Sequence, residues 1–122
     1  MKQLLLVVLG GGLGSGVRYL FARFSLDYLN LSLPWGTLMA NVLSCILVGL
    51  IISSEHLFPS NLRLPMRLFL MMGFCGGLST FSTFSYEMVS LFKQGMWTFA
   101  MLNLGLSLLL GIGVIFALTT KT

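Results

Sequence analysis

Charge is scarce in this sequence. Its 122 residues include seven Lys and Arg and three Asp and Glu, 8% together, where a soluble domain carries about 25%. Hydrophobic residues make up 57% of the chain. So few charges cannot cover a soluble domain, and a body this small cannot be nearly all core. The missing polar surface therefore faces lipid. Histidine is almost absent: His56 sits beside Glu55 in a connecting segment and reads as solvated. No Ser–His–Asp set, paired carboxylates or metal-ligand spacing exists, so nucleophilic and metal catalysis find no support. Cys45 and Cys75 lie in apolar segments without a CxxC, and they read as small packed hydrophobes. The net charge is +4, but the basic residues are scattered singly, which excludes a nucleic-acid stripe and suits membrane-edge anchors. The glycine run 10–16 contains no GxGxxG and follows no strand.

What is present is apolar sequence in membrane-length runs. A bilayer core needs about 20 apolar residues per helix. Four runs qualify, at approximately 3–24, 34–54, 65–92 and 96–118, within one transmembrane domain over residues 1–122. Between the first two lies the polar gap 27–32, and Pro34 suits a helix first turn. The loop 55–64 precedes a third helix starting near Pro65, and Lys93-Gln94-Gly95 is a short turn. Short connections predict antiparallel neighbours. Lys2 followed by Leu4 to Leu9 has the outline of a signal peptide. The apolar character continues past Gly16, however, so the segment reads as a first span.

Glycines four apart (Gly10 and Gly14, Gly12 and Gly16, Gly73 and Gly77) predict close helix packing, within one subunit or between subunits. The charge bias that sets orientation is weak. Lys2, Arg63, Arg67 and Lys121 fall on one side, and Arg18, Arg23 and Lys93 on the other. This near-balance predicts insertion in both orientations, which would allow an antiparallel dimer.

The third span carries the chemistry. Residues 73–85 hold Gly73, Gly76 and Gly77, then Ser79, Thr80, Ser82, Thr83 and Ser85 around Phe81 and Phe84. Glycine is a poor mid-helix residue. Backbone that leaves the helix at membrane depth needs protein, water or an ion to satisfy it. A broken helix at an ion site is one reading; a kinked helix whose hydroxyls bond their own backbone is the other. Thr37, Asn41 and Ser44 share a face of the second span, and Asn103, Ser107 and Gly111 a face of the fourth. Such stripes either hydrogen-bond between helices or line a path, and three on three helices favour a path. Hydroxyls, amides and aromatic ring edges suit a small anion. Glu87, near one end, either shapes an entrance or caps the helix end at the interface, and the cap is the favoured reading. Arg18 is left between drawing anions to a vestibule and snorkelling to a headgroup.

These residues resemble a known family. The stretches 11–19 (GGLGSGVRY), 36–41 (GTLMAN) and 73–85 (GFCGGLSTFSTFS) are similar in order and spacing to the motifs of the Fluc (CrcB) family of bacterial fluoride channels, over essentially the whole chain. The resemblance implies an all-α, four-helix transmembrane protein with a third helix broken near 76–80. It would assemble as an antiparallel, dual-topology homodimer in the bacterial inner membrane and export fluoride by passive diffusion. It implies a fluoride pathway along Asn41, Phe81, Ser82, Thr83, Phe84, Asn103 and Ser107. It also implies a structural Na+ at the dimer interface, held by the backbone carbonyls of Gly76 and Ser79. Some members have Tyr at Asn103 and a hydroxyl at Gly111, and Thr is common at Ser79. Two other classes compete with this reading. A small multidrug-type proton-coupled transporter would need a carboxylate at a span centre, and none is there. A non-transporting assembly subunit would use the glycines for packing alone.

Overall fold

The computed structural model describes residues 1–29 and 34–120. Asn30 to Ser32 of the polar gap, and Lys121 of the charge count, lie outside the described residues. The described chain is all helical, with four helical stretches long and apolar enough to cross a membrane: Lys2–Leu29, Trp35–Leu57, Ser60–Lys93 and Trp97–Thr119.

The first stretch is α1 (Lys2–Phe24), which widens into a π-helical turn at Ser25–Leu29. The second is α2 (Trp35–Ser54), closed by a 3-10 turn at Glu55–Leu57. The third is composite. It runs through α3 (Ser60–Met66), a π-helical segment Arg67–Cys75, the single turn α4 (Gly76–Leu78) and α5 (Phe81–Lys93). The fourth is α6 (Trp97–Thr119). Gly95, at φ 74, makes the turn between α5 and α6, in the left-handed region that glycine enters without a steric penalty.

The third stretch begins at Ser60, earlier than the start near Pro65 that the sequence predicts, and Pro65 lies inside α3. Extended Pro59 (ψ 144) precedes the first turn and stops the preceding segment. Pro65 has no N–H to donate to the Asn61 carbonyl one turn back, and the helix widens from Arg67 onward.

Glycine sets the register between α1 and the third stretch. A Cβ on Gly10 or Gly14 would collide with the carbonyls of Phe69 and Phe74, and one on Gly77 with the carbonyl of Gly11. A Cβ on Gly73 would sit 3.0 Å from the Cα of Gly10. These contacts ascend together along both helices, so the two run parallel. Gly12 and Gly16 have the same sequence spacing, but a Cβ there would meet nothing within 4 Å. They lie away from this contact. Against α2, the third stretch runs antiparallel: Thr37 meets Glu87, Asn41 meets Thr80 and Ser44 meets Cys75. Helices α2 and α6 run parallel, with Cys45 at Gly111 and Gly49 at Leu118.

An apolar cluster joins Met88 and Leu91 of α5 to Ala100 of α6, with Phe84, Phe92, Met96 and Leu104 around them. Outward positions such as Leu109, Ile112 and Phe116 are exposed and apolar, as a lipid-facing surface requires. Ion pairs lie at the stretch ends: Arg67 with Glu55, and Arg23 with Asp27 at 3.7 Å. Both are partly exposed, and such pairs add little stability.

Candidate functional site

The interruption falls at Ser79 (φ −76, ψ 155) and Thr80 (φ −152, ψ 121), both extended. Gly76 and Gly77 stay helical, so their poor helix propensity does not place the break. Gly77 is needed instead for the close approach of α1. What holds the break open is Asn41. Its Oδ1 accepts from the Thr80 N–H at 2.8 Å, and its Nδ2 donates to the Thr80 carbonyl at 3.4 Å. One side-chain amide thus satisfies both backbone groups of a residue that has left the helix, as the bilayer interior demands.

The rest of the α2 stripe does related work. Ser44 Oγ donates to the Cys75 carbonyl at 2.8 Å, which also accepts from the N–H and hydroxyl of Ser79. Thr37 Oγ1 donates to Glu87 Oε1 at 2.6 Å. Glu87 is therefore paired with α2 through Thr37, which corrects the expectation of a simple cap. The α2 stripe fastens the interrupted span, the interhelical alternative among the two readings of a polar stripe. Beyond the break, Thr80 Oγ1 accepts from the Thr83 N–H at 3.2 Å and caps α5. It also lies 3.3 Å from Ser82 Oγ and 3.2 Å from Thr83 Oγ1.

The break takes the helical donors from the carbonyls of residues 76–79. The Gly77 carbonyl accepts from Ser15 Oγ at 3.4 Å instead, and the donors of Gly76 and Ser79 go to other partners. In an unbroken helix Gly76 would receive the Thr80 N–H and Ser79 the Thr83 N–H. Asn41 takes the first and Thr80 Oγ1 takes the second. Among the described residues no group of three His, Cys, Asp or Glu side chains could hold a metal. Backbone oxygen is thus the ligand type that the break offers, and it suits a hard cation.

The anticipated pathway residues form two groups. Asn41, Ser82 and Thr83 gather around Thr80 at the break. Asn103 and Ser107 pair on α6, where Ser107 Oγ donates to Asn103 Oδ1 at 3.5 Å. Phe81 and Phe84 bracket Ser82 and Thr83 in sequence, with ring centroids 6.4 Å apart and planes tilted by 38°. Phe84 packs against the α5–α6 cluster, while Phe81 is 81% exposed on the outside of the chain. Ser85 bonds back to the Phe81 carbonyl and belongs to the helix. Sequence reasoning missed the Asn41–Thr80 and Thr37–Glu87 pairs. The one local signal was Thr80 three residues ahead of Thr83, an N-cap spacing.

Fold and site together define a class: a multi-pass membrane protein whose third helix opens at mid-span beside hydroxyls and amides, the architecture of a solute pathway. The family is narrower. The family model described as CrcB-like protein, Camphor Resistance (CrcB), matches residues 5–119, and the chain belongs to that family. It is 44% identical over 117 residues to a Leptospira interrogans protein named fluoride-specific ion channel FluC, covering 95% of this chain and 91% of the relative. Proteins of the same name from Bacteroides fragilis (38% over 120 residues, 96% and 93% covered) and Clostridium perfringens (45% over 119 residues, 89% and 90% covered) are similar over the same extent.

Proposed function

We propose that this chain is a fluoride-selective ion channel of the bacterial inner membrane that lets fluoride leave the cytoplasm down its gradient and so limits fluoride toxicity. The near-full-length match to relatives named fluoride-specific ion channels carries the reading. The donor chemistry of the site supports it. Hydroxyl and amide groups gather at the break, and Glu87 accepts from Thr37 through one oxygen, Oε1. The relatives are channels, a class without catalytic turnover, and this chain is read as a non-enzyme. A proton-coupled multidrug-type transporter would need a free mid-span carboxylate and is not favoured.

Residues 1–122 act in this reading as one transmembrane domain, and two copies pair as an antiparallel, dual-topology homodimer. The near-even charge distribution and the open Cβ positions at Gly12 and Gly16 support a second copy. A structural Na+ would be held between the copies by the Gly76 and Ser79 carbonyls, whose helical donors are taken by Asn41 and Thr80. Two carbonyls are fewer than a hard cation takes, and a second copy doubles them. Fluoride would pass Asn41, Phe81, Ser82, Thr83, Phe84, Asn103 and Ser107. The test is fluoride movement into proteoliposomes under a fluoride gradient, with membrane potential clamped and the pH gradient varied. A channel follows the fluoride gradient alone. Flux that requires a proton gradient would overturn the proposal in favour of the transporter.

A further inference from the structure

Asn103 is the most deeply buried polar side chain among the described residues, 1% exposed. Its Oδ1 accepts from Ser107, and its Nδ2 donates to the Met88 thioether, Sδ, at 3.9 Å. A thioether is a weak acceptor, so a buried amide with two N–H donors is left poorly satisfied. Apolar side chains surround this contact. Met88 lies in the cluster with Leu91 and Ala100, flanked by Phe84, Phe92, Met96 and Leu104. Its neighbour in sequence, Glu87, accepts from Thr37 of α2 through Oε1, and its buried Oε2 makes no hydrogen bond to Asn103. Met88 is one helical turn from Phe84 on α5, and Phe84 packs against the same cluster. Methionine is unbranched, with three rotatable bonds, and it repacks cheaply.

We propose that Met88 is a placeholder for the permeating anion. Its sulfur occupies the Asn103 amide while no anion is there and swings aside when one arrives. The exchange replaces a weak neutral contact with a charge-assisted hydrogen bond, which favours the anion. Residue 88 thereby sets how readily the path takes up its ion. Met88 is a positioning residue that acts through Asn103. The ion's identity rests on the fluoride reading above.

The test uses the full chain in lipid nanodiscs with 13C-methyl methionine, Met88 being assigned by its loss in Met88→Leu. Fluoride should shift the Met88 methyl resonance in step with flux saturation. Chloride at the same concentration should not, and Asn103→Leu should abolish the response. In liposomes Met88→Leu removes the competing acceptor, so the half-saturating fluoride concentration should fall, by about twofold to fivefold. Met88→Gln offers the amide a true carbonyl and should raise that concentration about fivefold. If Met88→Gln does not fold, the methyl titration and Met88→Leu decide. A Met88 resonance unmoved at saturating fluoride, or equally moved in Asn103→Leu, overturns the placeholder role while leaving the channel reading intact, as does an unchanged half-saturation in Met88→Leu. Absent wild-type fluoride flux would reject the channel reading, and the placeholder with it.

Discussion

Replacing Asn41 by Leu removes the one side chain that satisfies both backbone groups of Thr80. Thr80 is only 8% exposed, so water does not replace the lost partner. A buried, unpaired N–H costs about 1–3 kcal/mol. The 2.8 Å bond to the Thr80 N–H therefore carries most of the effect. The 3.4 Å bond to the carbonyl is longer and adds about 0.5 kcal/mol. The expected loss is about 2–3 kcal/mol in all. Ser44→Ala is the internal comparison. The Cys75 carbonyl would keep the N–H and hydroxyl of Ser79, so that loss should be about 0.5–1 kcal/mol, the usual worth of an interhelical bond in a membrane. Reversible unfolding in mixed micelles of increasing denaturing detergent measures both. Asn41→Leu should unfold well before Ser44→Ala. Equal stability of the two variants, or an Asn41→Leu indistinguishable from wild type, would refute the account of what holds the helix open.

Other perturbations separate the remaining elements. Gly14→Ala drives a methyl into the Phe74 carbonyl and should destabilise by about 1–3 kcal/mol in the same unfolding assay, whereas Gly12→Ala should leave the chain's own fold unchanged. Phe81→Ile and Phe84→Ile each lose about 1 kcal/mol of ring-edge interaction. Each should slow fluoride flux about fivefold or more while the protein stays folded on size exclusion. Wild-type flux in both would remove the phenylalanine role. A reporter on the C-terminus should be found on both sides of the membrane, and a single strong orientation would contradict dual topology. Replacing all sodium with a bulky organic cation should weaken the dimer and the flux if the Gly76 and Ser79 carbonyls share a cation; no change in either would remove it.

Much of this was legible in the sequence because membrane folding leaves coarse marks. Hydropathy marked four membrane-length runs, since each must bury its backbone polar groups within itself. The glycines at 10, 14, 73 and 77 announced a close contact, and they make it. Gly12 and Gly16 show the limit of that signal: the spacing is identical, but only three-dimensional placement tells which face meets a neighbour. The break lies at Ser79 and Thr80, within the expected stretch 76–80 but past the glycines, because a partner 39 residues away in sequence supplies the hydrogen bonds. No local propensity encodes that. The widening at Arg67–Cys75 was equally hidden, for a run apolar on most sides has no sharp periodicity to betray a change of helix type. Glu87 looked like an edge residue until α2 placed Thr37 beside it.

The central claim is most directly tested by ion release from liposomes that hold the purified chain and are loaded with fluoride and chloride together. Two ion-selective electrodes would follow the same sample once the membrane potential is released. The account predicts rapid fluoride efflux with chloride retained, at rates proportional to protein content. Fluoride retained, or both halides leaving equally, would contradict it.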